Sequence, residues 1–130
     1  MLFKIAIMRF FLSVLSIAIL SAVAEYFLPW WTIAVVCFLV SLFVRQRPGR
    51  AFSMGFLGIA LGWFVMAMLH DMANAHILSA RMAALFHLPH YTLFVLVTVL
   101  IGGLVGGLSA LVGALVWRER AGADQVAEPK

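Results

Sequence analysis

The chain has 130 residues, 65% of them hydrophobic and 11% charged, with a mean hydropathy of +1.12 and a formal net charge of +4. Soluble domains are about half apolar and about a quarter charged, so this composition excludes a soluble globular fold. A helical crossing takes about 20 residues, and the length therefore allows about four or five crossings and no separate soluble domain. We predict an all-α, polytopic membrane four-helix bundle.

The first apolar run covers residues 3–28 and predicts a transmembrane helix. Lys4, Arg9 and Glu25 lie near its two ends, where long side chains reach the membrane interface. In an alternative interpretation, residues 1–24 are a signal peptide, because basic residues and an apolar stretch are followed by small residues. Cleavage would leave three spans. The run is long enough to cross by itself, and we expect four.

A turn that contains proline lies on each side of the second span. Pro29 and the two tryptophans after it predict a turn at the headgroup level, and a second span follows over residues 30–44. This span is short for a crossing, so we expect it to begin within the interface. Residues 45–50 form a second turn, because Pro48 breaks a helix and three arginines cannot stay in hydrocarbon. A third span follows over residues 51–69.

Residues 75–86 predict a short amphipathic helix that lies in the interface or folds back onto the bundle. Its apolar side carries Ile77, Leu78, Met82, Leu85 and Phe86. The fourth span covers residues 92–117. We predict that residues 1–120 form one transmembrane domain and that the small, polar residues 121–130 form a disordered cytoplasmic tail.

The basic residues predict the orientation. Four crossings place both termini and the 45–50 turn on one side, where eight basic residues lie: Lys4, Arg9, Arg45, Arg47, Arg50, Arg118, Arg120 and Lys130. The other side carries Arg81 alone. Because cytoplasmic loops are rich in lysine and arginine, we expect both termini in the cytoplasm and the chain in a bacterial inner (plasma) membrane. This explains the positive charge without a nucleic-acid partner.

Glycines in the third and fourth spans predict close helix packing. They are Gly55, Gly58 and Gly62 in the third span and Gly102, Gly103, Gly106, Gly107 and Gly113 in the fourth. Helices in a bilayer associate through small residues that let their backbones approach, so we expect these two helices to pack against each other within one chain. The alternative is that the glycines form a homodimer contact or a hinge.

Polar residues cluster in the segment between the third and fourth spans. His70, Asp71, Asn74, His76, Arg81, His87 and His90 lie there, and together with Glu25 they form the candidate polar outer site. Imidazole and carboxylate are ligands for zinc, copper or iron, so a metal site is one hypothesis for the four histidines. The other is a hydrated interfacial loop, since the spacing matches no metal-binding motif.

Glu25 is the only acidic residue near the hydrocarbon in the first half of the chain. We expect Glu25 to be hydrated at the outer interface, or to pair with Arg81 or a histidine predicted on the same side. Trp63 lies deeper, beside Gly62, and needs an acceptor for its indole N–H.

Four segments carry a resemblance to known proteins: residues 27–31, residues 47–52, residues 76–86 and the last span with its doubled glycines. They resemble a family of small bacterial membrane proteins of uncharacterised activity, and this likeness implies a fold but no reaction. The chain is also similar in length to the small multidrug resistance exporters, which have four helices and a carboxylate in the first. In those exporters the carboxylate is mid-membrane, whereas Glu25 lies near the end of its run.

The sequence contains no cofactor fingerprint and no catalytic motif, so we expect no cofactor and no catalysis. The leading expectation is an interaction or assembly component, or an accessory subunit, that forms a homo-oligomer or joins a larger complex in the lipid bilayer. A second hypothesis is an oligomeric small transporter or channel that uses Glu25 and the outer histidines. A third is a metal-binding membrane protein built on His70, His76, His87 and His90.

Overall fold

The computed structural model describes residues 1–127, and within them the regular structure is entirely helical. The five helices are α1 (Leu2–Phe27), α2 (Thr32–Val44), α3 (Pro48–Ala73), α4 (Ile77–Leu85) and α5 (Tyr91–Ala127). Helices α1, α3 and α5 are each long and apolar enough to cross a membrane. Helix α2 is apolar but has only 13 residues. The structure is therefore that of an all-helical chain with three long apolar helices.

Helix α5 differs most from its predicted extent. It continues without a break from the apolar span to Ala127, whereas residues 121–130 were expected to be a disordered tail. Three of its last seven residues are alanines, the best helix formers, and the only proline in this part of the sequence is Pro129. The tail prediction is therefore incorrect for residues 121–127, and residues 128–130 lie outside the described residues.

Helix α3 lies at the centre of the packing. Its most extensive contact is with α5, and it also packs along α1, while α2 packs against both α5 and α1. Within residues 1–127, α1 and α5 share no contact. Arg9 of α1, the turn at 45–47 and Arg120 of α5 lie close together. The first part of α1, this turn and the last part of α5 therefore share one end of the molecule. We call it the arginine end, and the opposite end, with α4 and its flanking turns, the histidine end.

Glycines make the α3–α5 contact close. A Cβ atom added at Gly55 would lie 2.6 Å from the Cβ of Ala110, and one added at Gly106 would lie 2.8 Å from the Gly55 carbonyl oxygen. Real Cβ atoms do not approach so closely, so the two backbones are in direct contact here. Gly103 and Gly107 leave room for phenylalanine rings of α3 in the same way.

The remaining predicted glycines also face neighbours in the chain. Gly58 of α3 leaves 2.6 Å between an added Cβ and the side chain of Ile17, which is fully buried in α1. Gly62 lies over Ala18 with ordinary contact distances, and Gly113 of α5 packs on α2. Ser41 donates a 2.6 Å hydrogen bond to the Ala110 carbonyl oxygen and so joins α2 to α5. These glycines pack helices of a single chain.

Helix α4 buries its small side chains and exposes its large apolar ones, whereas an amphipathic helix of a soluble protein buries its apolar face. Ser79 and Ala83 are its buried residues, and α4 packs mainly on α5. Its large apolar side chains point outward: Ile77, Leu78, Leu85 and Phe86 are each more than half exposed. The predicted helix at 75–86 is present. Its small side chains let α4 approach α5, which leaves the large apolar side chains on the outer face, where they can contact lipid.

Candidate functional site

A cleft of about 510 Å³ opens between α1, α3 and α5 toward the histidine end. We call it the histidine-end cleft. Its wall comes from α1, from the turn before α2, from four residues of α3 and from one residue of α5: Ala22, Glu25, Tyr26, Trp30, Trp63, Met66, Ala67, His70 and Thr98. It exists because α1 and α5 do not touch and α2, half the length of α3, begins only at Thr32.

Glu25 and Trp63 form the polar contact at the base of this cleft. The indole N–H of Trp63 donates a hydrogen bond to Oε1 of Glu25 at 2.7 Å, between residues 38 positions apart. Trp63 is placed by Gly102, since a Cβ there would lie 2.5 Å from the indole ring. The glycines of α5 therefore position a side chain of the cleft as well as the helices.

The hydrogen-bond partner of Glu25 is Trp63 and not Arg81 or a histidine, which were the partners considered from the sequence. Ten residues of α3, about 15 Å of helix, separate Trp63 from the last residue of α3, so the end of α1 lies well short of the histidine-end turns. Arg81 is exposed on α4 beyond those turns. Among the described residues, Glu25 forms no ion pair with Arg81 or a histidine, and α1 ends short of the level of α4.

A smaller pocket of about 190 Å³ continues the cleft toward α4. The two share Ala67, His70 and Thr98, and the smaller one adds Asp71 and Asn74. His70 is thus the histidine that lines both the histidine-end cleft and the pocket next to α4.

Asp71 holds the turn between α3 and α4. Its carboxylate accepts a hydrogen bond from the Ser79 hydroxyl and lies 2.5 Å from Nδ1 of His76. A carboxylate only accepts, so Nδ1 of His76 carries the hydrogen. The His76 ring also packs against Tyr91, with ring centroids 4.8 Å apart. Asp71 is 8% exposed and therefore satisfies its charge within the turn.

Two matching backbone motifs shape the histidine end. The amides of Ala75 and His76 bond back to Met72 and Asp71, which ends α3 in a Schellman motif. The amides of His87 and Leu88 end α4 in the same way. Ala75 and His87 occupy the left-handed position of each motif, with φ of 50° and 54°. The position of His87 therefore follows from this backbone motif.

The structure therefore divides the eight candidate polar residues. Glu25 and His70 share the histidine-end cleft, and His70, Asp71 and Asn74 share the pocket beside it. His76 belongs to the Asp71 turn, while Arg81, His87 and His90 are exposed elsewhere. Within residues 1–127, no three His, Cys, Asp or Glu side chains lie close enough to hold a metal ion.

Two features of the site escaped the sequence. Tyr26 and Trp30 line the cleft, although Trp30 was interpreted only as marking a turn at the headgroup level and no role in a site was predicted for Tyr26. Asp71 joins α3 to α4 through His76 and Ser79. The only sign of this in the sequence is that a histidine and a serine come five and eight residues after Asp71. In comparisons with known proteins, no family model, no curated protein and no solved structure matches the chain. The site is therefore interpreted from its own geometry.

Proposed function

We propose that the chain is a four-span bundle in a bacterial inner membrane, with α2 as the short second crossing and the arginine end in the cytoplasm. The distribution of charge supports this orientation, because within residues 1–127 the basic residues outside α4 lie in or beside the arginine-end segments. A helix shorter than the hydrocarbon thickness is tolerated by local thinning of the bilayer and by flanking aromatic residues, here Trp30 and Trp31.

Within that membrane frame, the chain is a non-catalytic interaction component that recognises a cationic group in the histidine-end cleft. One observation carries this proposal: the carboxylate of Glu25 lines an open cleft to which no lysine or arginine of the described residues contributes. An ionisable side chain at membrane depth is costly unless it has a function or a partner. The Trp63 hydrogen bond orients the carboxylate but supplies no positive charge.

The cleft favours an organic ammonium ion over a metal ion. Tyr26, Trp30 and Trp63 line it beside Glu25, and the faces of tyrosine and tryptophan attract ammonium groups. Most of the other wall residues are apolar, which suits a ligand with hydrocarbon around its charge. The volume of about 510 Å³ lies within the usual range of small-molecule sites.

A second candidate is transport of that cation by a homo-oligomer. The observation that favours it is the presence of Glu25 and His70 in one cleft, because both groups can exchange protons with a ligand or with water. Binding and transport differ in flux. Proteoliposomes that bind the cation but show no uptake would leave only the first candidate.

The experiment measures binding of benzyltrimethylammonium to the full chain in lipid nanodiscs, by tryptophan fluorescence. Neopentylbenzene, its uncharged isostere, controls for partition into lipid. We expect saturable binding of the cation only, and about tenfold weaker binding to Glu25→Gln, since hydrogen bonds and charge pairs at such sites contribute about 1.4 kcal/mol or more. Glu119→Gln, an exposed carboxylate on α5, is the matched control. Equal binding to wild type and Glu25→Gln would refute the proposal.

A further inference from the structure

A basic pocket at the arginine end has no role in the proposed function. It has a volume of about 490 Å³ and is lined by Arg9 of α1, by the turn residues Arg45, Gln46 and Arg47, and by Arg50 of α3. We call it the arginine pocket. Four arginines from two helices and one turn line it, and no acidic residue of the described part of the chain does.

Within residues 1–127 none of these arginines forms an ion pair, although Asp124 of α5 lines a neighbouring pocket with Arg9 and Arg45. Among residues 1–127, the sole contact within 4 Å between a basic and an acidic side chain is that of His76 with Asp71, at the opposite end. Four like charges around one pocket repel each other, and an anion in the pocket removes that repulsion. Guanidinium groups bind phosphate oxygens through paired hydrogen bonds.

The backbone and Gln46 add neutral donors to the same place. Helix α3 begins at Pro48 after Arg47, which makes no side-chain cap, so the amides of Gly49 and Arg50 remain available to an anion. The side-chain oxygen of Gln46 is buried without a hydrogen-bond partner. Gln46 itself lines the pocket, and a side-chain amide N–H can donate to a phosphate oxygen there.

An apolar groove of about 480 Å³ continues from the arginine pocket along α1 and the start of α3. The two share Ala6 and Arg50, and the groove is lined further by Ile7, Phe10 and Phe11. Gly49 also borders the groove, and a Cβ added there would meet no atom within 4 Å. A phosphate site that leads into a hydrocarbon-lined groove matches the two chemical parts of a phospholipid.

We propose that the arginine end binds one anionic phospholipid, with its phosphate in the arginine pocket and an acyl chain in the adjoining groove. Free phosphate shares the headgroup chemistry but uses the pocket alone. The groove favours the lipid, and it gives the experiment a position, Gly49, at which lipid and free phosphate respond differently.

The first measurement is native mass spectrometry of the full chain in detergent with dioleoyl phosphatidylglycerol or dioleoyl phosphatidylcholine. We expect one phosphatidylglycerol to be retained in preference to phosphatidylcholine. Arg47→Gln and Arg50→Gln should each weaken retention about fivefold, as expected for about 1 kcal/mol per basic residue near an anionic lipid. Arg81→Gln, an exposed arginine at the histidine end, is the matched control and should retain the lipid as wild type does.

The second measurement separates the two phosphate sources. Gly49→Leu should fill the groove and weaken phosphatidylglycerol retention while inorganic phosphate competes no better than before. Circular dichroism of each variant verifies that it is folded, and Gly122→Leu, at the other open glycine, controls for helix propensity. Equal retention of the two lipids would overturn the proposal. So would full displacement by inorganic phosphate with no effect of Gly49→Leu, which would assign the pocket to a free anion.

Discussion

The α3–α5 contact and the histidine-end turns are stabilised by different interactions. In the α3–α5 contact, glycines bring backbones together, and Gly55 and Gly106 leave no space for a methyl group. At the histidine end, the carboxylate of Asp71 joins two helices through Ser79 and His76. The first contact depends on the absence of side chains and the second on their hydrogen bonds. The two regions should therefore respond to different kinds of substitution.

The largest effect is expected at the α3–α5 contact. Gly106→Leu places a branched side chain where even a Cβ would lie 3.0 Å from the Cβ of Ile59, so α3 and α5 must separate. Overpacking of this kind typically costs about 1–3 kcal/mol. The thermal unfolding midpoint in detergent, followed by circular dichroism, should fall sharply.

Gly122→Leu is the control for this change, because it lies on the same helix with no atom within 4 Å of an added Cβ. We expect its midpoint to stay near that of wild type. Similar losses in both variants would show that leucine acts on α5 in general and would remove the distinction between the two regions. The size of any oligomer should be measured in parallel, since an effect on size alone would place Gly106 between chains.

A smaller and more local effect is expected at Asp71. Asp71→Ala removes the acceptor of the buried Ser79 hydroxyl and of the His76 ring, although Ser79 keeps a 3.1 Å contact with the His76 carbonyl oxygen. A lost buried partner costs about 1–2 kcal/mol. Amide hydrogen exchange should accelerate in α4 (Ile77–Leu85) while the amides of α3 near Gly55 keep their protection.

Asn74→Ala is the matched control for Asp71→Ala. Asn74 ends the same helix, is exposed and makes no side-chain hydrogen bond in the described part of the chain. Its replacement should leave exchange in α4 unchanged. If Asp71→Ala also leaves α4 unchanged, the carboxylate does not hold this turn.

The sequence predicts the helices well because their boundaries are local. Pro29, Pro48 and the polar residues after Leu69 interrupt apolar runs, and helices begin or end within a few residues of each. The contact of α3 with α5 follows from glycine spacing for the same reason, since small residues at helical intervals define one face. Residues 121–127 were predicted incorrectly, because a polar composition says less about helix formation than alanine content does.

The candidate site could be predicted only in part, because it depends on contacts between distant residues. Trp63 needed an acceptor, but nothing local indicates that a carboxylate 38 residues earlier in the chain supplies it. Whether the two side chains come into contact depends on how far α1 extends alongside α3, and the sequence does not give the position of one helix along the axis of the other. Sequence also groups His70 with His87 and His90, whereas the turns direct them to different places.

The smallest predicted effect tests whether the histidine-end turns are held by side chains or by backbone. Ala75 adopts φ of 50° at the left-handed position of its Schellman motif, and glycine is the residue that accepts this conformation without strain. Relief of about 1 kcal/mol is partly offset by the greater freedom of glycine in the unfolded chain, so Ala75→Gly should stabilise by about 0.5 kcal/mol.

His76 has nearly the same backbone, with φ of 60°, but its ring contacts Asp71 and Tyr91. His76→Gly gains the same relief and loses those contacts, so its unfolding midpoint should fall while that of Ala75→Gly rises slightly. A rise in both variants would mean that the His76 ring contributes nothing to stability. The turn would then be held by its backbone hydrogen bonds alone, and the polar side chains around Asp71 would be free to serve the pocket that Asp71 and His70 line.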